Sequence, residues 1–392
     1  MAHVHTRKGY EGVAVAVPVT VPYVRYSTRS AHWFIAQAIQ ALVQQSGVPK
    51  EQIDGLTVSS FSLGPDTAVG VTQHLGLSPR WLDHIPTGGA SGVMALRRAA
   101  RAVQAGDANI VACVAADTNQ VDSFRQMLGS FSSFARDATY PYGSGGPNAI
   151  FAFITANYMQ KYGARREDFG RICVDQRTNA LAYGSRMFKK PLTLDDYMAA
   201  RPIADPIHLF DCVMPCAGAE AFLVMSEERA RDLGLPFATL RGAIERHNAF
   251  SADPVMERGG WLVDRPELYA MADAKPADIA FLQAYDDYPV IVMIQAEDLG
   301  FCAKGEGPSF VRAHRLRHDG DFPINTSGGQ LSSGQAGAAG GFMGVTETIR
   351  QLTDQAAGRA VTNAQLGLIG GFGMVTYDRC LCTGAAILGR SS

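Results

Sequence analysis

Residues 285–288 read Tyr-Asp-Asp-Tyr, two carboxylates between two phenols. Paired carboxylates in one site can divide acid and base roles, because each raises the other's proton affinity. In an extended segment, however, adjacent side chains face opposite ways, so Asp286 and Asp287 are not expected to share a site. Asp286 is expected to anchor its loop. Tyr285 acts as a proton acceptor only if its pKa is depressed, which a neighbouring carboxylate does not supply. Its other reading is a strand-edge residue whose hydroxyl a neighbour satisfies.

Seven cysteines are scattered along the chain with no metal-ligand or disulfide spacing. Cys113, inside VACVAA, is expected to pack as a small hydrophobe, and Cys212 and Cys216 to pack beside a returning strand. Cys380 and Cys382 alternate on an expected strand and point the same way. Free thiols in a reducing cytoplasm, and no metal site, are the expectation. The run NTSGGQLSSGQAGAAGG from Asn325 is glycine-rich but carries neither G-x-x-x-x-G-K-[ST] nor G-x-G-x-x-G. Asn325 there is a possible Asx-turn former, and the small residues allow close backbone approach.

The elements that must position these residues repeat. Val48 to Ser60 and Ala274 to Ala284 each follow a helical stretch and run into a strand. Gly88 to Gly106 has apolar Val93, Ala95, Leu96, Ala99, Ala100 and Val103 at helical spacing and feeds a buried strand over Ala108 to Ala115. The second half echoes this with a small-residue helix from Gly334 to Gln355 and a strand over Leu366 to Gly370. This order implies two α/β units with mostly parallel sheets. We expect an N-terminal half over 1–119, an inserted lid over 120–206, a returning strand and helix over 207–234, and a C-terminal half over 235–392. The 392 residues are 47% apolar and 18% charged with a net charge of −2, which suits a globular protein and gives no footprint for nucleic acid or an anionic membrane. No apolar run reaches the length of a membrane span, and the N-terminus has no signal-peptide pattern.

Six phrases occur in order: IDGLTVSS from Ile53, GGASGVMALRRAARAVQAGDANIV from Gly88, DPIHLFDCVMPCAGAEAFLV from Asp205, AYDDYPVIVMIQAEDLGFCAKGEG from Ala284, NTSGGQLSSGQAGAAG from Asn325, and GGFGMVTYDRCLCTGAAILG near the end. Over nearly the whole chain they resemble the thiolase superfamily, and AEDLGFCAKGEG with NTSGG resembles its sterol-carrier-protein type. The resemblance implies an α/β thiolase fold, with two duplicated ββαβα-type halves in a five-layer αβαβα sandwich, an inserted lid that helps bind coenzyme A, and a homodimer.

A thiolase needs a thiolate at a helix N-terminus, a histidine to activate it, a second cysteine as acid/base and an oxyanion hole. Carried over position by position, the nucleophile's place holds Gly89. The two histidine places hold Tyr285 and Gln335, and the late cysteine's place holds Leu368, with Gly370 nearby as a backbone donor. Asn325 matches the family asparagine that orders a catalytic water. Gly88, Ser91, Asp286, Tyr288, Ser332, Ser333 and Gly334 are the expected contacts of the acyl-CoA thioester. Arg136 and Arg186, with Lys189 and Lys190, are candidates to neutralise its phosphates; the lysine pair reads equally as a solvated face.

Replacement of all four reactive side chains implies the non-cysteine subset of the family, which resembles retro-aldolases that cleave β-hydroxyacyl-CoA and work with a small zinc-ribbon/OB-fold companion protein. Tyr285 matches one tyrosine of that subset and Gln335 stands at the other. Tyr285 would then take the β-hydroxyl proton while amides at the Gly88 helix hold the enolate oxygen. Two alternatives are an acetyl-CoA acyltransferase using another cysteine and a silent acyl-CoA-binding subunit. No covalently bound cofactor is expected in any of the three.

Overall fold

The computed structural model describes residues 8–64, 67–120, 137, 140–143, 146–184, 187–356, 358–376 and 379–391. The chain runs β1 (Val13–Val24), α1 (Ala31–Ser46), β2 (Gly55–Ser59), α2 (Ala68–Leu75), β3 (Trp81–His84), α3 (Ser91–Ala105) and β4 (Ile110–Asp117). Next come α4 (Pro147–Tyr162), α5 (Arg166–Tyr183), α6 (Leu194–Met198), the small pair β5 (Pro202–Ala204) and β6 (Ile207–His208), then β7 (Ala217–Ser226) and α7 (Glu227–Asp232). The remainder is β8 (Phe237–His247), α8 (Trp261–Ala272), β9 (Phe281–Gln283), α9 (Pro289–Asp298), α10 (Gly307–Ala313), α11 (Gly329–Ser333), α12 (Gly340–Leu352), β10 (Leu366–Thr376) and β11 (Arg379–Arg390).

Local sequence accounts for the elements nearest the site. β4 is buried along its whole length, which its unbroken apolar run requires of a strand covered on both faces. α3 buries Val93, Met94, Leu96, Ala99 and Ala100 and stops at Gly106, whose left-handed backbone returns an N–H to the carbonyls of Ala102 and Val103.

The strands follow the order β3-β2-β4-β7-β1-β8-β11-β10-β9. α3 and α12 pack on each other and lie between the β2-β4-β7-β1 part and the β8-β11-β10 part, while α1 covers the outer face of the first and α8 that of the second. The result is the expected αβαβα layering. The two sheets also join: β1 pairs antiparallel with β8 through Ala14–Thr239, Val15–Ala238 and Ala16–Phe237. In the second half the outermost strand shrinks to a single parallel bridge, Leu282 to Ile324.

Four expectations need correction. The pairing is mostly antiparallel; among the described strand pairs β2–β3, β2–β4 and β9–β10 are parallel, because the β10–β11 hairpin and the strands β1, β7 and β8 join without parallel crossovers. The helix expected from Gly334 starts at Gly340. Gly334 has φ 93°, which ends α11, and Gln335 is held extended by its bridge to Pro215. The strand from Leu366 continues to Thr376 before turning back. The inserted stretch, for which no helix was expected, holds the 16- and 18-residue helices α4 and α5.

The central helices meet through glycine. A Cβ on Gly92 would lie 2.0 Å from the Gly341 carbonyl oxygen, so α3 and α12 approach more closely than any side chain permits. Among the described residues no helix is long and apolar enough to cross a membrane.

Candidate active site

Segments leaving the C-terminal ends of β2, β4, β9 and β10 surround a cavity of about 740 Å³. This is where open α/β sheets bind ligands, because the following loops diverge there. Phe61 and Ser62 follow β2, Asp117 to Gln120 end and follow β4, and Tyr285, Asp287 and Tyr288 follow β9; Phe372 to Val375 form the end of β10. The insertion contributes Pro147, Asn148 and Phe151 from α4, and the stretch before β7 contributes Cys212, Val213, Pro215 and Cys216.

Gly88 and Gly89 line this cavity from the single turn that opens α3. A Cβ on Gly89 would fall 2.0 Å from Cε2 and Cζ of Tyr285 and 2.4 Å from the carbonyl oxygen of Phe372. The Tyr285 ring therefore fills the place of a side chain at Gly89. That ring runs nearly parallel to Phe372, centroids 6.2 Å apart. Gln335 Nε2 donates to the Tyr285 hydroxyl oxygen at 3.1 Å and to Gln330 Oε1 at 3.0 Å. The three positions Gly89, Tyr285 and Gln335 thus converge, as the carry-over expected.

Asp117 fixes the loops that carry this arrangement. Its carboxylate accepts from the Phe61 and Ser62 amides, the Ser60 and Ser62 hydroxyls, and across the molecule from the Ala338 amide at 2.7 Å. The last bond holds the loop of Gln335 against the first half.

Several expected site residues do not reach the cavity. Ser91 turns inward, donating from Oγ to the Ile85 carbonyl at 3.1 Å. Asp286 accepts from the Gln330 and Leu331 amides at 2.9 and 3.3 Å, capping α11, so it anchors its loop instead of touching ligand. Ser332 accepts from Arg177, and Ser333 donates to the Ser327 carbonyl at 2.8 Å. Gly334 packs beside Cys216 and Met187. Asn325 adopts a left-handed turn, its carbonyl accepting from the Gly328 amide at 2.7 Å. Asn325 and Gly370 line only a separate pocket of about 10 Å³, which Tyr285 and Asp286 also line. Leu368 is fully buried in the core; the part of β10 that reaches the cavity begins four residues later, at Phe372. Tyr288 does line it, stacked on Phe151 at 3.9 Å, with its hydroxyl donating to Asn148. Lys189 and Lys190 are exposed and away from it. Arg136 and Arg186 lie outside the described residues.

Sequence reasoning missed Asp287, Asn148, Phe151 and Phe372. Asp287 sits where the chain bends between β9 and α9, a turn that strand alternation does not describe. The others depend on which end of α4 and β10 meets the cavity.

Burial sets the charge states. It pushes the hydroxyls of Tyr285 and Tyr288 well above the usual phenol range, and the carboxylate of Asp287 adds to the effect on both. Asp287 is itself raised well above the ordinary carboxylate range by burial and then by Asp286. Asp286 is pushed up to about 7 by burial against its amide donors. Burial therefore favours the protonated phenol of Tyr285, whereas a proton acceptor there would need a depressed affinity. Burial pushes the Cys212 thiol up to about 12 and Cys216 higher, so neither cavity thiol presents a thiolate at neutral pH. Among the described residues no three His, Cys, Asp or Glu side chains are grouped to hold a metal ion.

The family model "Thiolase C-terminal domain-like" matches residues 242–389. A steroid side-chain-cleaving aldolase of Thermomonospora curvata is 32% identical over 357 residues, covering 86% of this chain and 89% of that protein. The 17-hydroxy-3-oxo-4-pregnene-20-carboxyl-CoA lyase of Mycobacterium tuberculosis is 31% identical over 349 residues, covering 84% and 88%. The solved Ltp2-ChsH2(DUF35) aldolase matches at a TM-score of 0.82 and 27% identity, covering 97% of this chain and 98% of that one. With a sequence likeness this long and a fold this close, the chain belongs to the thiolase superfamily, as a sterol-carrier-protein-type member resembling the retro-aldolases.

Proposed function

We propose that this protein cleaves a carbon–carbon bond of a β-hydroxyacyl-CoA thioester by a retro-aldol step without a covalent acyl-enzyme. One observation carries the reading: the Tyr285 ring fills the space beside Gly89 that a nucleophile would need. What remains at the start of α3 is backbone, and amides at a helix N-terminus suit a developing enolate oxygen. Tyr285, held protonated against Gln335, is suited to deliver a proton to the enolate carbon.

Phe61, Phe151, Tyr288, Phe372 and Val375 give the cavity aromatic and apolar walls, and its volume suits a bulky acyl group. A steroid side chain, the substrate class in one relative's name, is the favoured acyl group, with aromatic and branched acyl chains as comparisons. The polar stretch Asp117 to Gln120 in the lining suits the pantetheine arm. The reading also includes a homodimer, a cytoplasmic location, and a small zinc-ribbon/OB-fold companion, in line with a structural relative whose name joins two proteins. The division into halves over 1–119 with 207–234 and over 235–392, with a lid over 120–206, is part of it.

The test is a lyase assay of the protein, alone and with proteins that co-purify with it, on steroid, aromatic and branched β-hydroxyacyl-CoAs. A ketone or aldehyde plus a shortened acyl-CoA is expected. Cleavage of none of them, with acyl transfer from acetyl-CoA instead, would overturn the reading.

A further inference from the structure

A retro-aldol cleavage needs a group that removes the β-hydroxyl proton, and burial disfavours the phenolate of Tyr285, whose oxygen already accepts from Gln335. Two carboxylates line the cavity, Asp117 and Asp287. Asp117 is committed, with amide and hydroxyl donors converging on both of its oxygens. Asp287 is not. Its Oδ1 is buried and accepts no hydrogen bond, an arrangement that costs free energy and that folded proteins keep rare. It lies two residues from Tyr285, at the bend that leads into α9, and both line the cavity.

Resting on the lyase reading above, we propose that Asp287 is the catalytic residue that takes the proton from the substrate's β-hydroxyl. With the thioester oxygen at the amides of Gly88 and Gly89, the carboxylate accepts the hydroxyl proton. The bond between Cα and Cβ breaks, Cβ becomes a carbonyl carbon, and the electron pair passes to the thioester enolate. Tyr285 then protonates Cα, and the proton on Asp287 restores Tyr285 through solvent as product leaves. The hydroxyl proton of the substrate is thus balanced by the new C–H bond, with no oxidant or reductant. The titratable groups facing Asp287 are Asp286, Tyr285, Tyr288 and Cys380. Burial raises the proton affinity of all of them, so Asp287 is the stronger base once ionised, and cleavage is expected to rise with pH as its proton is lost.

The test has a kinetic arm and a binding arm. On a β-hydroxyacyl-CoA that the wild type cleaves, Asp287→Asn is expected to lower kcat about 100-fold or more, the scale of a lost proton transfer. The acid limb of the pH profile disappears with it, and Asp287→Glu recovers part of both. In the binding arm, wild-type protein is expected to hold 3-hydroxyoctanoyl-CoA about tenfold more tightly than octanoyl-CoA, and Asp287→Ala to abolish that preference while binding octanoyl-CoA as before. An Asp287→Asn enzyme within about threefold of wild-type kcat, with the acid limb intact, would overturn the assignment. Should the wild type cleave nothing, the lyase reading fails and the binding arm decides alone: a preference for the hydroxyl that survives in Asp287→Ala rejects Asp287.

Discussion

The ring of Tyr285 stands where a side chain on Gly89 would stand, 2.0 Å from the Cβ that glycine lacks. The two residues are 196 positions apart, yet each is intelligible only through the other: the glycine leaves room for the phenol, and the phenol closes the site to a nucleophile. Restoring the cysteine should therefore not restore thiolase chemistry. Gly89→Cys is expected to destabilise the fold by about 1–3 kcal/mol through overpacking against Tyr285 and the Phe372 carbonyl. It should also form no acyl-enzyme from acetyl-CoA. Urea unfolding and intact-mass spectrometry check both; a stable, acylated variant would contradict the packing described.

Tyr285→Phe keeps the ring over Gly89 and removes the hydroxyl that Gln335 meets. Lyase kcat is expected to fall about 10²–10⁴-fold, the usual scale for a lost general acid, with acyl-CoA affinity nearly unchanged. Steady-state kinetics and calorimetry separate the two effects.

Asp117→Ala should act through position. It strips a buried acceptor from the Phe61, Ser62 and Ala338 amides, costing about 1–3 kcal/mol for each donor left without a partner. It also releases the loop of Gln335. Thermal unfolding should drop and KM should rise, and a variant with wild-type Tm would show that these bonds are not needed.

A carboxylate between the layers gives the stability a pH dependence. Burial pushes Glu220 on β7 up to about 7, although Thr20 and Thr346 donate to it. Folded protein keeps a proton that the unfolded chain releases, so its contribution is complete at acid pH and is lost as pH rises through about 7. Unfolding free energy should decline between about pH 5 and 8, and less steeply in Glu220→Gln. Parallel curves for the two proteins would contradict the assignment.

Much of this was legible before the fold was known. The internal echo of elements pointed to two α/β units, the six phrases carried the family resemblance, and Gly89, Tyr285 and Gln335 meet in the structure. What the chain alone could not show was direction. Ser91, Asp286, Ser332 and Ser333 are close in sequence to cavity residues, but each points its polar atoms back to a main-chain or side-chain partner. Asn325 and Gly370 reach only the small pocket that Asp286 also lines. The part of β10 that lines the cavity is Phe372 to Val375, because the strand runs further than its apolar start suggested. The protonation of Tyr285 follows from burial, which no local pattern records.

The claim of cleavage without a covalent intermediate is tested most directly by intact-mass spectrometry of the protein during turnover of a β-hydroxyacyl-CoA. An unmodified mass throughout, while ketone and shortened acyl-CoA accumulate, is the expected result. An acyl adduct appearing on Cys212 or Cys216 during turnover would contradict it.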